Sequence, residues 1–270
     1  MTLRLFCRRV LLLVLVVALA CPCEASAHKV TAVSALLWDA TDGHDDYAKA
    51  PDRRIFPAST TKIMTVLLVL EKLPLEGYVT VSERATKVAP TKLGLKAGER
   101  YRVRDLLYGM LLKSANDAAI VLAEAVAGSE AKFVEMMNRR AREIGARHTH
   151  FANSHGLPSS ARQYSTAHDM ALIFREALKQ DFFSKAITFK YRIIYSRDGR
   201  RHFLKSHNKS LFLNWKRDVY GKTGYTRQAR SCFVGYFNKG GHTCIIAVFG
   251  CRKRWEDIKF IVERYGRTDL

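Results

Sequence analysis

The sequence predicts a mixed α/β protein of the α+β kind: an antiparallel sheet covered by helices, with a mostly helical lobe inserted. Three observations predict it. Strand-like segments come from both ends of the chain, helical segments are grouped between them, and 270 residues at 48% hydrophobic can bury one sizeable core. No internal repeat or low-complexity linker divides the chain.

From Val30, alternating Ala32, Ser34, Leu36 and Trp38 read as a strand, and the turn Thr41-Asp42-Gly43 leads to a second strand near Tyr47. Pro51 to Arg54 is a short polar loop. Ser59 is placed to cap the helix that follows, an apolar run from Ile63 to Leu70 that stops before Pro74. Residues 75–100 read as loops with short strands. Val103, Leu106, Leu107, Met110 and Leu111 have helical spacing through Lys113, where Ser114-Ala115-Asn116 breaks the pattern and Asp117 restarts it as far as Gly128. Ser129 caps another helix, with Phe133, Met136 and Met137 as its apolar stripe, and Gly145 ends it. Phe151 to Arg162 is loop. Ser165-Thr166 open the next helix, with Asp169 in its first turn and an end near Lys179. Phe189–Ile194 and Arg201–Lys205 form a hairpin about Asp198-Gly199, strands follow at Ser231–Phe237 and Thr243–Phe249, and a helix from Trp255 to about Tyr265 closes the chain.

The first residues have the pattern of an export signal rather than of a fold. Arg4, Arg8 and Arg9 precede the eleven apolar residues Val10 to Ala20, and Ala25-Ser26-Ala27 is an A-x-A cleavage site. Eleven apolar residues are too few to span a bilayer. Cleavage after Ala27 makes residues 1–27 a signal peptide and 28–270 the exported domain, held at the wall or membrane by charge at most. Ala18-Leu19-Ala20-Cys21 is a poor match to a lipoprotein site. Removing three arginines and one glutamate lowers the net charge from +20 only to +18, which favours acidic partners. The basic residues are scattered, apart from small clusters such as Arg252-Lys253-Arg254. No zinc-finger, RNA-binding or helix-turn-helix signature accompanies them, so nucleic acid is not the expected partner. Cys232, Cys244 and Cys251 follow the cleavage point. A hairpin turning at Asn238 to Gly241 sets Cys232 opposite Ala247, so no essential disulfide is expected.

Ser59 and Lys62 are three apart, so on a helix the lysine amine lies one turn above the serine hydroxyl. A serine is a poor nucleophile until a base takes its proton, and a lysine at the mouth of an apolar helix loses solvation, which favours its neutral, basic form. Alone, Ser-x-x-Lys carries little weight; a helix cap and a surface lysine explain it as well. Two further motifs change that. Ser114-x-Asn116 lies at the break between two helices, where side chains can enter a cleft. Lys222-Thr223-Gly224 precedes a strand, and Gly224 allows close approach to the backbone. Each has an ordinary reading as a cap or a strand start, but the ordered set is that of penicillin-binding proteins and class A β-lactamases.

With these motifs the chain resembles the low-molecular-mass D-alanyl-D-alanine carboxypeptidases, serine peptidase family S11. Further segments carry the resemblance: Pro57–Thr65, Asp105–Ala119, Thr149–Leu157, Ser165-Thr166-Ala167 and Gly221–Thr226, over roughly residues 30 to 266. It implies a β-lactamase/transpeptidase-like fold and an enzyme that removes the terminal D-alanine from peptidoglycan stem peptides ending in D-Ala-D-Ala. β-Lactams would be its covalent inhibitors. It implies Ser59 as nucleophile, Lys62 as base and Ser114 as proton relay to the departing D-alanine. Asn116 would position Lys62 and the substrate amide, and Lys222 and Thr223 would hold the terminal carboxylate. Lys222 would also favour the neutral form of Lys62, Gly224 would let substrate near the backbone, and the N–H groups of Ser59 and Tyr225 would form the oxyanion hole. No metal or cofactor is implied, and His148, His150 and His155 lack ligand spacing.

Two local departures stand out: Ala97-Gly98 where the family often has Pro-Gly, and Arg230 where a glycine usually follows Ala229. A C-terminal β domain and amphipathic anchor, present in many relatives, are not expected here. Three other functions remain open on sequence. One is a D-alanyl endopeptidase cutting cross-links, which the motifs do not separate from a carboxypeptidase. Another is a β-lactamase, against which stands the lack of a Glu-x-x-Leu-Asn segment between Ser114 and Lys222. The third is a non-catalytic peptidoglycan-binding module, against which stands the presence of Ser59, Lys62 and Lys222.

Overall fold

The computed structural model describes residues 29–270; the expected signal peptide and its cleavage site lie outside them. Strands β1 (Ser34–Asp39), β2 (His44–Lys49), β7 (Tyr220–Thr226), β8 (Arg230–Lys239) and β9 (His242–Cys251) form an antiparallel sheet in the order β2-β1-β9-β8-β7. Between β2 and β7 the chain builds its helical part. A 3₁₀ turn at Ala58–Thr61 leads into helix α1 (Lys62–Lys72), and the strand pair β3 (Tyr78–Thr80) and β4 (Arg100–Arg102) encloses the short α2 (Glu83–Thr86). Then come α3 (Val103–Lys113), α4 (Asn116–Ala127), α5 (Glu130–Ile144), α6 (Ala167–Leu178), α7 (Asp181–Ala186) and the hairpin β5 (Tyr191–Tyr195) and β6 (Arg201–Lys205). A second 3₁₀ turn at Lys209–Phe212 precedes β7, and α8 (Arg254–Arg264) follows β9.

The expected architecture is present, with one consequence for how the first strand reads. β1 is buried along its whole length. Leu36 and Trp38 face the core shared with α1, α3, α4 and α6, whereas Ala35 and Leu37 face a second core with Phe233, Phe237, Ile246, Ile258 and Ile261. Helix α8 supplies the second layer, so the sheet is covered on both faces; of the alternation expected from Ala32 to Trp38, Leu36 and Trp38 face the first core, whereas Ala32, which precedes the strand, packs in the second. Helix α1 is apolar on nearly every side because it is central: Ile63 to Val69 are all buried.

The helix ends follow their local signals. Ser129 Oγ accepts from Lys132 N–H and Thr166 Oγ1 from Asp169 N–H, and Gly128 and Gly145 end their helices in the left-handed conformation. Helices α2 and α7, of four and six residues, are not among the expected elements, being too short to show a period, and neither is β7: Lys222-Thr223-Gly224 lies within a strand of its own instead of only preceding one. The expected register of the last hairpin is corrected. Val234, not Cys232, pairs with Ala247, because the strands run on to a two-residue turn at Gly240-Gly241, both with positive φ. A bulge between Ser231 and Phe233 leaves Cys232 out of register. Cys232, Cys244 and Cys251 are buried free thiols. At the other departure from family pattern, Arg230 adopts φ +57, a conformation that costs a residue with a side chain about 1–2 kcal/mol.

Candidate active site

Ser59 does not cap a helix. It lies inside the 3₁₀ turn, after Ala58 at φ +47, and α1 starts three residues later with Thr61 in the capping position, where its side chain makes no capping bond. The tight turn leaves Ser59 partly accessible while Lys62, on the first residue of α1, is fully buried. Lys62 Nζ lies 3.1 Å from Ser59 Oγ, 2.7 Å from Asn116 Oδ1 and 2.7 Å from the carbonyl oxygen of His155. Two of these partners can only accept. A neutral amine has two N–H groups for those two carbonyls and one lone pair, which is left for the Ser59 hydroxyl. Burial, then the charge of Lys222, pull the Lys62 pKa well down, against a smaller opposing effect of Asp117. Burial thus favours the neutral form of a lysine that lies within hydrogen-bond reach of the Ser59 hydroxyl.

Ser114 joins α3 to α4 at φ +61, ψ +32, a left-handed residue that breaks the helical line and turns its hydroxyl inward. Its Oγ accepts from Lys222 Nζ at 2.9 Å, and Lys222 also donates to the Thr223 carbonyl. Burial and the nearby Arg254 push Lys222 down to about 7. Asn116, besides accepting from Lys62, donates through Nδ2 to the Ala89 carbonyl, so its amide orientation is fixed from both sides. Strand β7 is the outer strand of the sheet and brings Lys222, Thr223 and Gly224 alongside the Ser59 turn. A Cβ on Gly224 would meet Ser59 N at 3.1 Å and Ala58 Cβ at 3.2 Å, so a larger residue would crowd the nucleophile. Tyr225 is 66% exposed and stands at the mouth. All eight residues singled out in the sequence therefore gather in one place. Ser59, Ser114, Thr223, Gly224, Tyr225 and Arg254 line a cleft of about 280 Å³.

Three contributors escaped the sequence reading. The first is the carbonyl of His155, since a backbone atom has no residue signature. Its loop is pinned by Asn153, whose Oδ1 accepts from the N–H groups of His155 and Gly156, and by the buried Glu130, which accepts from Ser154 N and Oγ and from Arg84. The His155 ring is buried and neutral at neutral pH, its pKa pushed to about 4 chiefly by burial. Arg254 is the second. Its Nη1 donates to the carbonyls of Gly224 and Cys232, and its buried Nε has no protein partner. It stood in the basic run Arg252-Lys253-Arg254, which reads as surface charge until α8 turns it toward β7. Asp117 is the third: its carboxylate accepts from the N–H groups of Leu93, Gly94 and Leu95 and holds that loop beside Asn116. Away from this cleft, donor atoms of Asp39, Asp42 and His44 lie within 4.8 Å of one another, but Asp39 is already bonded to Thr41 N, Asp42 N and His242.

Residues 22–253 match the model of the peptidase S11 family, described as D-alanyl-D-alanine carboxypeptidase. The chain belongs to this family. Within the S11 family it is 35% identical over 225 residues to the D-alanyl-D-alanine carboxypeptidase DacF of Bacillus subtilis, covering 81% of this chain and 57% of that one. It is also 35% identical over 193 residues to DacB2 of Mycobacterium tuberculosis, covering 71% and 65% respectively. It thus spans under two thirds of the length of these curated relatives. A solved mutant of the Streptomyces K15 DD-transpeptidase matches 89% of this chain and 100% of its own, with a TM-score of 0.82 and 29% identity. The solved D-alanyl-D-alanine carboxypeptidase of M. tuberculosis H37Rv matches 90% and 94%, also with a TM-score of 0.82 and 29% identity. The β-lactamase/transpeptidase-like fold expected from the motifs is the fold of this S11 chain.

Proposed function

We propose that this chain is a serine-type D-Ala-D-Ala carboxypeptidase that trims peptidoglycan stem peptides through an acyl-enzyme on Ser59, and that β-lactams acylate the same oxygen. The observation that carries the proposal is the Lys62 amine, buried, depressed in pKa and bonded otherwise only to two carbonyl oxygens. Lys62 takes the proton as Ser59 Oγ attacks the penultimate D-alanine carbonyl. The N–H groups of Ser59 and Tyr225 receive the developing oxyanion. Ser114 passes a proton to the departing amine, the C–N bond breaks, and D-alanine leaves. Water then cleaves the ester and restores Ser59.

Thr223 and Arg254 line the cleft and are suited to the terminal carboxylate, with Lys222 behind them. An arriving carboxylate would raise the pKa of Lys222 and charge it, which in turn keeps Lys62 neutral. This has a signed consequence. In Lys222→Ala the positive neighbour is gone, so Lys62 holds its proton to higher pH, and the acid limb of penicillin acylation should move to higher pH. Acylation rates measured across the pH range check this; an unmoved acid limb would show that Lys222 does not set the basicity of Lys62.

Incubation of the protein with a pentapeptide ending in D-Ala-D-Ala tests the activity itself: release of one D-alanine supports it, and an intact peptide refutes it. We place residues 28–270 outside the cytoplasmic membrane as the catalytic domain. Among the described residues no helix is long and apolar enough to cross a membrane. N-terminal sequencing of the recovered protein should begin at His28, and recovery with Met1 attached would contradict export with cleavage.

A further inference from the structure

The catalytic cleft holds one more titratable side chain, His207, which lines it together with Ser59, Ser114, Thr223 and Arg254. Its backbone is fixed on both sides. His207 N–H donates to the Leu112 carbonyl, two residues before Ser114, and Asn208 Nδ2 and Ser210 Oγ donate to the carbonyl of Val219, just before β7. The flanking Ser206 and Asn208 are buried, whereas His207 stays open to solvent through the cleft. Its ring makes no hydrogen bond, ion pair or ring contact with any described residue. A neutral imidazole in that state offers one N–H and one free lone pair. Withdrawal from bulk water by the cleft walls, and then the positive charge of Lys222, Lys113 and Arg254, push the His207 pKa down to about 4. The ring is therefore neutral at neutral pH, with the basicity of an ordinary carboxylate.

The proposed reaction ends with water attacking the Ser59 ester, and that water needs a base. Class A β-lactamases take theirs from a glutamate. Here no Glu-x-x-Leu-Asn segment lies between Ser114 and Lys222, and no Asp or Glu lines the cleft. Lys62 is fully buried and does not line it either. The other functional groups along the wall are hydroxyls and the Arg254 guanidinium, which leaves His207 as the one with a basic lone pair. Charge explains why an imidazole suits the place. A carboxylate would pair with the nearby cations and repel the peptide's own terminal carboxylate; a neutral ring of the same basicity does neither.

We propose that His207 is the base of the deacylation step, taking a proton from the water that hydrolyses the Ser59 acyl-enzyme. The inference rests on the carboxypeptidase reading. Water enters the cleft once D-alanine has left and gives one proton to a His207 ring nitrogen as its oxygen bonds to the acyl carbonyl carbon. The bond from that carbon to Ser59 Oγ then breaks, the imidazolium proton passes to Ser59 Oγ, and the shortened peptide leaves as the free acid.

The test follows acylation and deacylation separately in the full chain and in His207→Gln. The substrate is an N-acylated D-alanyl thioester, whose good leaving group makes acylation fast. Acyl-enzyme is trapped by acid and counted by intact mass while product release is measured alongside. In His207→Gln turnover should fall by about 10²-fold and acyl-enzyme should accumulate, while the rate of penicillin acylation stays within about twofold of wild type. Hydroxylamine, neutral at neutral pH and able to attack an ester without a base, should restore release from the variant. Unchanged turnover in His207→Gln overturns the inference, as does a parallel loss of acylation and turnover, or slow release that hydroxylamine leaves slow. A wild type that forms no acyl-enzyme and frees no D-alanine from a pentapeptide overturns the carboxypeptidase reading and this inference with it.

Discussion

Ser59→Ala should form no penicillin adduct, because the oxygen that attacks the β-lactam carbonyl is gone and no other hydroxyl has Lys62 behind it. Lys62→Ala keeps that oxygen but leaves its proton without a base. Acylation should slow by about two to four orders of magnitude, the usual contribution of a positioned base. The structure sharpens this expectation. Asn116 Oδ1 and the His155 carbonyl, the other partners of Lys62, are neutral amide oxygens, so neither can take over the base role. Intact mass after penicillin treatment, with digestion to locate the added mass, measures both effects. An adduct on Ser114 or a cysteine, or full labelling of Ser59→Ala, would mean that the nucleophile lies elsewhere.

Gly156→Ala should also slow acylation strongly, although residue 156 is not among the residues that line the cleft. Gly156 sits at φ +86, and a Cβ there would lie 1.8 Å from the Ala58 carbonyl oxygen and 2.9 Å from Thr61 Oγ1. Both contacts are with the turn that carries Ser59, and His155, one residue back, supplies a carbonyl to Lys62. A single methyl must therefore push the turn and the loop apart, displacing Ser59 and the Lys62 acceptor together. Misplacement of reacting groups by about 1 Å costs on the order of 10²-fold in rate. Acylation should fall by about that factor, and thermal unfolding should show a folded but less stable protein. Acylation at the wild-type rate would show that the loop does not position the site. Gly128→Ala, at a residue that also has positive φ but open space around its Cβ position, is a control: the backbone strain is shared and the clash is not.

Much of the site was legible because its chemistry is compressed into short local patterns. Ser59 and Lys62 are one helical turn apart, Ser114 and Asn116 mark a break visible in the apolar period, and Lys222-Thr223-Gly224 stands before a strand with strong pattern. Helix ends were equally local, since a cap such as Ser129 or Thr166 bonds an N–H three residues on. The hairpin register of β8 and β9 was not, because it depends on which two residues make the turn and on a bulge at Cys232, and a shift of either moves every pair.

By itself the sequence determined the antiparallel sheet with its helical lobe, the order of the longer helices and of the strands with clear alternation, and the three motifs, all of which rest on spacing along the chain. Tertiary structure decided what those spacings could not encode. It placed Ser59 in a 3₁₀ turn instead of a cap, because Ala58 at positive φ and the packing of Gly156 and Gly224 against the turn fix its path. It brought in Arg254 from thirty residues beyond Gly224 and the His155 carbonyl from a loop ninety-three residues after Lys62. A guanidinium in a basic run and a backbone oxygen look the same in sequence wherever they point. Only the fold, by burying Lys62 and setting Lys222 nearby, lowers its proton affinity, and so makes a base of it.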